Sequence, residues 1–313
     1  MASAAGTSEL QADILRGSDL DNNLENDSSA EETLAIWTTR YGGPWPEGSD
    51  ASKQRHGDAA AINADKNMLW STETDRYSRA RLLATSAPHS SDWLYALPIS
   101  SCGLRLNNEA VRVAVGLRLG VPICEPHTCP CGSLVDARGS HCLACRRSAG
   151  RMARHQQINE LIYRALNRAK VPSVKEPTGL TRLDGKRPDG LTLIPWRSGR
   201  CLTWDVTIAD TFTYIQKTSL AQGGAADIAA ARKIEKYTDL ARTYEFCPIA
   251  METLGPINEI GLSFLYDLGR RLVETTGDTR ETTFLLQRIS IAIQRCNAVS
   301  FRGSFTEIAD AST

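Results

Sequence analysis

Two aspartates on either side of a short hairpin are the residues of this chain best suited to chemistry. Asp189 begins one apolar segment, residues 191–196, and Asp205 lies inside the next, residues 201–208. A turn at residues 197–199 joins the segments, so they are predicted to pair as strands. Both carboxylates would then lie near one end of the hairpin, where they repel each other unless a cation or a proton lies between them. Mg²⁺ (or Mn²⁺) prefers such oxygens and retains water that can attack a phosphodiester, so the hairpin predicts a metal-dependent phosphodiesterase site.

A second group of residues, between positions 124 and 145, has the composition of a metal site. Five of the nine cysteines lie in this segment, whereas a disulfide scaffold would spread them along the chain. Two chelating pairs on either side of a nine-residue loop supply the four ligands that tetrahedral zinc needs: Cys129, Cys131, His141 and Cys145. The residues alone leave three competing ligands open, namely Cys124, His127 and Cys142.

Helices and strands are predicted around the two aspartates in the order helix, three strands, helix, strand. The predicted bounds are a helix over residues 150–170, strands over 173–176, 189–196 and 201–208, a helix over 220–244 and a strand over 246–252. Two amphipathic helices, residues 257–274 and 280–298, are expected to cover the sheet. Upstream, a helix over residues 108–119 is expected to bury Val111, Val115 and Leu119, with Ala114 and Leu117 filling gaps.

Charge is distributed unevenly although the formal net charge is zero. Residues 1–70 carry five Lys/Arg against twelve Asp/Glu, a net of −7, whereas residues 146–246 carry eighteen against ten, a net of +8. An acidic arm followed by a basic body is typical of nucleic-acid binding. Residues 1–75 are predicted to be a disordered arm and residues 306–313 a disordered tail. No signal peptide and no apolar run of roughly 20 residues is present, so we expect an intracellular protein without membrane association.

The dipeptide Pro188-Asp189, followed by Asp205-Val206-Thr207, resembles the P-D-(D/E)-x-K motif of restriction-endonuclease-like nucleases. With the Cys/His cluster, the Arg154-His155 pair and the K-x-x-K-Y string at Lys233 to Tyr237, residues 78–305 resemble the C-terminal region of LINE-type (non-LTR) retrotransposon proteins. The resemblance implies a helical segment at residues 76–123, a zinc knuckle at 124–149 and an α/β restriction-endonuclease-like domain at 150–305. It selects Cys129, Cys131, His141 and Cys145 as the zinc ligands.

The resemblance also implies the roles of individual residues. Asp189 and Asp205 would hold Mg²⁺ or Mn²⁺, with Glu160 as a candidate third carboxylate. Since Thr207 replaces the lysine of D-x-K, a lysine from the following helix must serve, and Lys233 or Lys236 is favoured over Lys217. Nucleic acid would contact Arg146, Arg147, Arg154, His155 and Arg187.

Two functions follow from these expectations. The first is an endonuclease that nicks target DNA in the nucleus, contacts DNA and also RNA, and associates with a reverse transcriptase. The second is a nucleic-acid-binding protein with a degenerate catalytic site, which the missing lysine at position 207 favours.

Overall fold

The computed structural model describes residues 54–181 and 185–305, together with Ala35, Thr38 and Thr39. The chain divides into two units, Met1–Thr74 and Asp75–Thr313. In the first unit, helix α1 spans Gln54–Thr72, so the prediction of disorder is wrong for these residues. Their sequence is rich in alanine, the residue with the highest helix propensity, although it is poor in large apolar residues. The remainder of the predicted arm, and the tail at residues 306–313, lie outside the described residues.

The second unit opens with three helices, α2 (Arg76–Ser86), α3 (Asp92–Tyr95) and α4 (Asn108–Leu119). The bounds of α4 match the prediction, but its predicted buried face is wrong, because Val111, Val115 and Leu119 are exposed. The buried face consists of Ala110, Val113, Ala114 and Leu117, which follow the i, i+3, i+4, i+7 spacing of one helical stripe. After α4 come a small hairpin, β1 (His127–Thr128) and β2 (Leu134–Val135), and the short helix α5 (Ser140–Ala144).

A four-stranded sheet forms the centre of the second unit, in the order β3-β4-β5-β6. The first three strands pair antiparallel and the last two pair parallel. The sheet and its helices are α6 (Ala149–Arg168), β3 (Ser173–Lys175), β4 (Gly190–Thr192), β5 (Leu202–Ala209), α7 (Ile215–Thr218), α8 (Gly224–Lys236), α9 (Leu240–Thr243), β6 (Glu245–Glu252), α10 (Glu259–Thr276) and α11 (Glu281–Arg302). Strand β4 is therefore shorter than predicted, and the helix predicted for residues 220–244 is broken after Lys236.

The two faces of β5 meet different helices because successive side chains of a strand alternate. Leu202, Trp204 and Val206 belong to the main core, which also contains apolar residues of α6, α10 and α11. The opposite face, which includes Asp205, is covered by α8 through small side chains, as the Ala226, Ala230 and Ala250 cluster shows. The fold is thus a mixed α/β layer arrangement with a carboxylate on the α8 side of its central strand. No helix in the described part of the chain is long and apolar enough to cross a membrane.

Candidate functional site

A bulge at the start of β4 directs Asp189 towards β5. Gly190 faces Trp204 in the strand register, while the N–H of Asp189 also donates to the carbonyl of Trp204 at 2.9 Å, so two residues of one strand face one of the other. Glycine is required at 190 because a Cβ there would lie 1.9 Å from the Trp204 ring. The Asp189 carboxylate, freed from the regular alternation, accepts the N–H of Val206 at 2.6 Å through Oδ2. Asp189 therefore lies beside the residue that follows Asp205.

Asp205 lies under α8, where Lys233 supplies its counter-charge. The Asp205 side chain is 4% exposed, and Lys233 Nζ lies 2.5 Å from its Oδ1. This contact is an ion pair whose direction does not suit a hydrogen bond, and Oδ1 has no well-directed donor among the described residues. The Tyr237 hydroxyl, one turn further along, donates to the carbonyl of Arg187 at 2.8 Å and helps to lower the pKa of Asp205.

Burial and the neighbouring Asp189 charge raise the pKa of Asp205, and Lys233 and Tyr237 oppose that rise. The sequence-based expectation that the two carboxylates repel each other is consistent with this electrostatic environment. Burial acts first because a carboxylate removed from water loses most of its solvation. A further positive charge beside the pair would reduce the remaining repulsion between the two carboxylates.

His155, in the first half of α6, contacts the other carboxylate. Its Nε2 lies 3.0 Å from Asp189 Oδ2, and the ring is partly exposed. The hydrogen bond to Asp189 raises the pKa of His155 above its usual value, with smaller contributions from the charges of Asp189 and Asp205. His155 was predicted to bind phosphate, and the structure places it at the aspartate pair.

The donor set at the aspartates suits a hard divalent cation. Both carboxylates offer only oxygen ligands, and the buried Asp205 Oδ1 lacks a well-directed donor among the described residues. Against this, each carboxylate already has a basic neighbour, His155 for Asp189 and Lys233 for Asp205. The charge of each carboxylate is therefore already compensated in this structure. Lys233, whose side chain is 24% exposed, has room to move away from Asp205.

Two further candidates for the catalytic site have other partners. Glu160 accepts from Arg164 Nε at 2.6 Å and from Lys175 Nζ at 2.7 Å, and neither aspartate is among its described contacts. Lys236 Nζ contacts the Tyr237 hydroxyl at 2.9 Å and lies over the Tyr237 ring, so it supports the tyrosine. Of the two lysines predicted for the site, Lys233 forms an ion pair with Asp205.

The predicted phosphate-binding arginines fall into two groups. Arg154 is buried and cannot reach nucleic acid, since its guanidinium donates to Asn297 Oδ1 and to the carbonyl of Leu143, each at 2.7 Å. The burial of Arg154 leaves no signal in the sequence, and the adjacent His155 is partly exposed. Arg146 and Arg147 are exposed and Arg187 is half-buried; Arg147 donates to the carbonyl of Pro130, and Arg187 pairs with Glu176.

The Cys/His cluster has the geometry of a four-ligand metal site. The ligand atoms of Cys129, Cys131, His141 and Cys145 all lie within 4.8 Å of one another. The Cys129 and Cys145 sulfurs are 3.8 Å apart, and Cys131 Sγ lies 3.2 Å from His141 Nε2. Zinc–sulfur bonds of about 2.3 Å at tetrahedral angles require an S···S separation of roughly 3.8 Å. The cluster could therefore hold a metal ion such as zinc.

The three competing ligands are occupied elsewhere. The thiol of Cys124 donates to the carbonyl of Asp136, His127 contacts Ser304 Oγ and the carbonyl of Glu125, and Cys142 is buried in the core that the cluster shares with α4 and α11. Gly132 and Gly139 take positive φ angles of 91° and 67°, as expected for the tight turns that bring the chelating pairs together.

The fold and its sites define a mixed α/β protein with a Cys₃His cluster that could hold a metal. A separate pair of aspartates, buried Asp205 and half-buried Asp189, contacts a lysine and a histidine. No family model matches the chain, and no curated protein matches its sequence. Two participants in the site were not predicted as such from the sequence, the N–H of Val206 and the hydroxyl of Tyr237. The K-x-x-K-Y string contained a signal for the tyrosine, whereas a backbone N–H leaves none in the sequence.

Proposed function

We propose that this protein is a metal-dependent endonuclease of the restriction-endonuclease-like class, acting on DNA in the nucleus. The observation that carries the proposal is the convergence of Asp189, Asp205 and Lys233, from three separate parts of the chain, at the middle of β5. The order α6, β3, β4, β5, α8, β6 supports it, because the resemblance of Pro188-Asp189 and Asp205 to the nuclease motif implies the same order of elements.

In this proposal the two carboxylates hold the divalent ion. Mg²⁺ or Mn²⁺ would supply a polarised water and neutralise charge on the attacked phosphate. Lys233 moves its ammonium from Asp205 to a non-bridging phosphate oxygen, where charge develops during attack. His155 and the N–H of Val206 hold Asp189 in one orientation, and Tyr237 does the same for Asp205. Each of these residues holds a carboxylate or the phosphate in position, and none has to form a covalent bond.

The Cys₃His cluster is assigned a structural zinc ion in the same proposal. Its cysteines belong to the core that also contains Val113 of α4 and Phe301 of α11. Zinc there would fix the segment that precedes α6, and hence the start of the helix that carries His155. The exposed arginines beside it, Arg146 and Arg147, are available for phosphate contacts.

One observation favours a second candidate, a nucleic-acid-binding protein without catalysis. Both carboxylates have a basic side chain in hydrogen-bond or ion-pair distance, so their charge is compensated without a metal. A site in which Lys233 remains on Asp205 would bind nucleic acid through the basic body and leave it intact.

A nicking assay on supercoiled plasmid with Mg²⁺ or Mn²⁺ distinguishes the two candidate functions. The nuclease proposal expects nicking that EDTA abolishes and that Asp205→Asn reduces at least 100-fold, while the variant keeps its circular-dichroism spectrum. A matched control is Asp227→Asn, an α8 aspartate outside the site, which should nick normally. Metal-independent binding without nicking in the wild type would leave the second candidate.

A further inference from the structure

A groove of about 790 Å³ lies between α6, β3 and α11. Apart from His155, four basic and two acidic side chains line the groove. The basic ones are Arg164, Lys175, Arg288 and Arg295, and the acidic ones are Glu160 and Glu176. The excess of two positive charges makes it a site for an anion rather than for a neutral ligand. Its neutral polar walls include Gln156, Gln157 and Asn159, and no phenylalanine, tyrosine or tryptophan lines it.

Two residues that line the groove, His155 and Glu176, contact Asp189, so the groove adjoins the aspartate pair. His155 lines it and contacts Asp189 through Nε2. Glu176 also lines it, and its N–H donates to the carbonyl of Asp189 at 2.9 Å. Glu176 has a φ of 48°, a left-handed backbone conformation that is costly for any residue other than glycine. An anion that leaves the aspartates in this direction therefore enters the groove directly.

The cations of the groove differ in what they already bind. Arg164 and Lys175 both pair with Glu160. Arg295 donates to the carbonyls of Gly103 and Arg105, each at 3.1 Å. Arg288, half-buried on α11, has no hydrogen bond or ion pair among the described residues. A half-buried guanidinium without a partner retains its full set of donors for a ligand.

We propose that this groove binds one strand of nucleic acid through its phosphodiester backbone, with a phosphate on Arg288. This inference rests on the proposed function, which supplies nucleic acid as the ligand. It goes further by naming a single strand as the form that binds. A volume of this size encloses drug-sized ligands, so it admits a few linked nucleotides and excludes a duplex. Without aromatic residues for base stacking, contacts to phosphates dominate and recognition is independent of sequence.

Fluorescence anisotropy with a labelled 15-nucleotide single strand and the matching duplex tests the proposal. The full chain carries Asp205→Asn, and EDTA is present, so binding is measured whether or not the wild type is a nuclease. Arg288→Glu should weaken single-strand binding at least tenfold and leave duplex binding within twofold. Arg302→Glu, with the same charge change on the same helix outside the groove, is the matched control and should change both affinities little.

Arg288→Gln provides a milder variant should the glutamate disturb packing, and it should reduce the salt slope of single-strand binding by about 0.7, the value for one lost phosphate contact. A mononucleotide that competes as strongly as the strand would overturn the proposal in favour of a nucleotide pocket. Equal losses for Arg288→Glu and Arg302→Glu, or a loss confined to duplex, would overturn it as well.

Discussion

Replacing Lys233 by methionine tests the electrostatics of the aspartate pair directly. Methionine keeps most of the aliphatic length but removes the ammonium that lies 2.5 Å from Asp205 Oδ1. Asp205 is 4% exposed and has Asp189 as a neighbour, so it would be left as a buried anion with its main counter-charge removed. Losing one partner of a buried pair typically costs about 3–5 kcal/mol.

The size of the effect has an upper limit set by protonation. A buried carboxylate can take up a proton instead of remaining charged, and from the ordinary pKa of 3.8 this costs about 4.4 kcal/mol at pH 7, since each unit is worth 1.36 kcal/mol. The pKa of Asp205 is already raised in the wild type, so part of this cost is already present. We therefore expect Lys233→Met to lower the free energy of unfolding by about 2–3 kcal/mol at pH 7.

The loss should depend on pH with a definite sign. Because the folded pKa of Asp205 lies above its unfolded value, the penalty is absent below about pH 3.8 and grows as pH rises through the folded pKa. Removing Lys233 raises that pKa further and widens the window. The difference between variant and wild type should thus be small near pH 4 and largest at neutral pH.

Urea denaturation at pH 4.5 and pH 7.5 measures both quantities. Lys217→Met is the matched control, because it removes the same charge from an exposed lysine on α7. Added Mg²⁺ should stabilise Lys233→Met more than the wild type if the carboxylates bind metal, since the ion then replaces the missing ammonium. An equal loss at the two pH values, or the same loss for both lysine variants, would refute this account of Asp205.

Three further outcomes follow from buried groups. Glu252 is fully buried, and burial is the first cause of its raised pKa. Glu252→Gln should therefore raise the free energy of unfolding by about 1 kcal/mol at neutral pH and have little effect below about pH 4.5. Urea denaturation at both pH values measures this difference. Arg154→Ala should cost about 2–4 kcal/mol by leaving two buried acceptors without a donor, whereas the exposed Arg151→Ala should cost less than about 0.5 kcal/mol in the same assay. Elemental analysis should find one metal ion per chain in the wild type and in Cys124→Ser but none in Cys145→Ser, and metal in the last variant would contradict the four-ligand assignment.

The sequence predicted the strands and the metal cluster well because short-range signals specify both. The turn at residues 197–199 is confirmed: a bridge joins Arg197 and Arg200, and Ser198 and Gly199 take left-handed φ angles. In the Cys/His cluster, ligand type and spacing located the segment and left seven candidate ligands, and the resemblance selected the four residues that the structure brings together. These features depend on residues that are close together in the sequence, so one sequence is enough to predict them.

Features that depend on contacts distant in sequence were predicted less well. The face of α4 was assigned from three spaced branched residues, yet the partners of α4 in α11 and in the Cys/His cluster select Ala110 and Val113 for burial. The break in α8 was missed because Thr238 satisfies the last carbonyls of the helix, those of Ile234 and Glu235, through its hydroxyl. Glu160 was placed in the site from its helix alone, and Lys175 on a neighbouring strand holds it elsewhere.

In the proposed nuclease site, Lys233 of α8 takes the place of the motif lysine that Thr207 replaces. Asp205 and Thr207 are two apart on β5 and lie on the face that α8 covers, so a lysine at 207 and Lys233 from α8 approach the carboxylate from adjacent positions. Introducing Thr207→Lys into Lys233→Met should then restore part of the lost stability, because Thr207 is only half-buried and leaves space for the longer chain. The same double variant should recover any metal-dependent nicking lost in Lys233→Met. Recovery of stability without nicking would show that the ammonium balances Asp205 charge and takes no part in phosphate activation, and recovery of neither would show that only α8 delivers it.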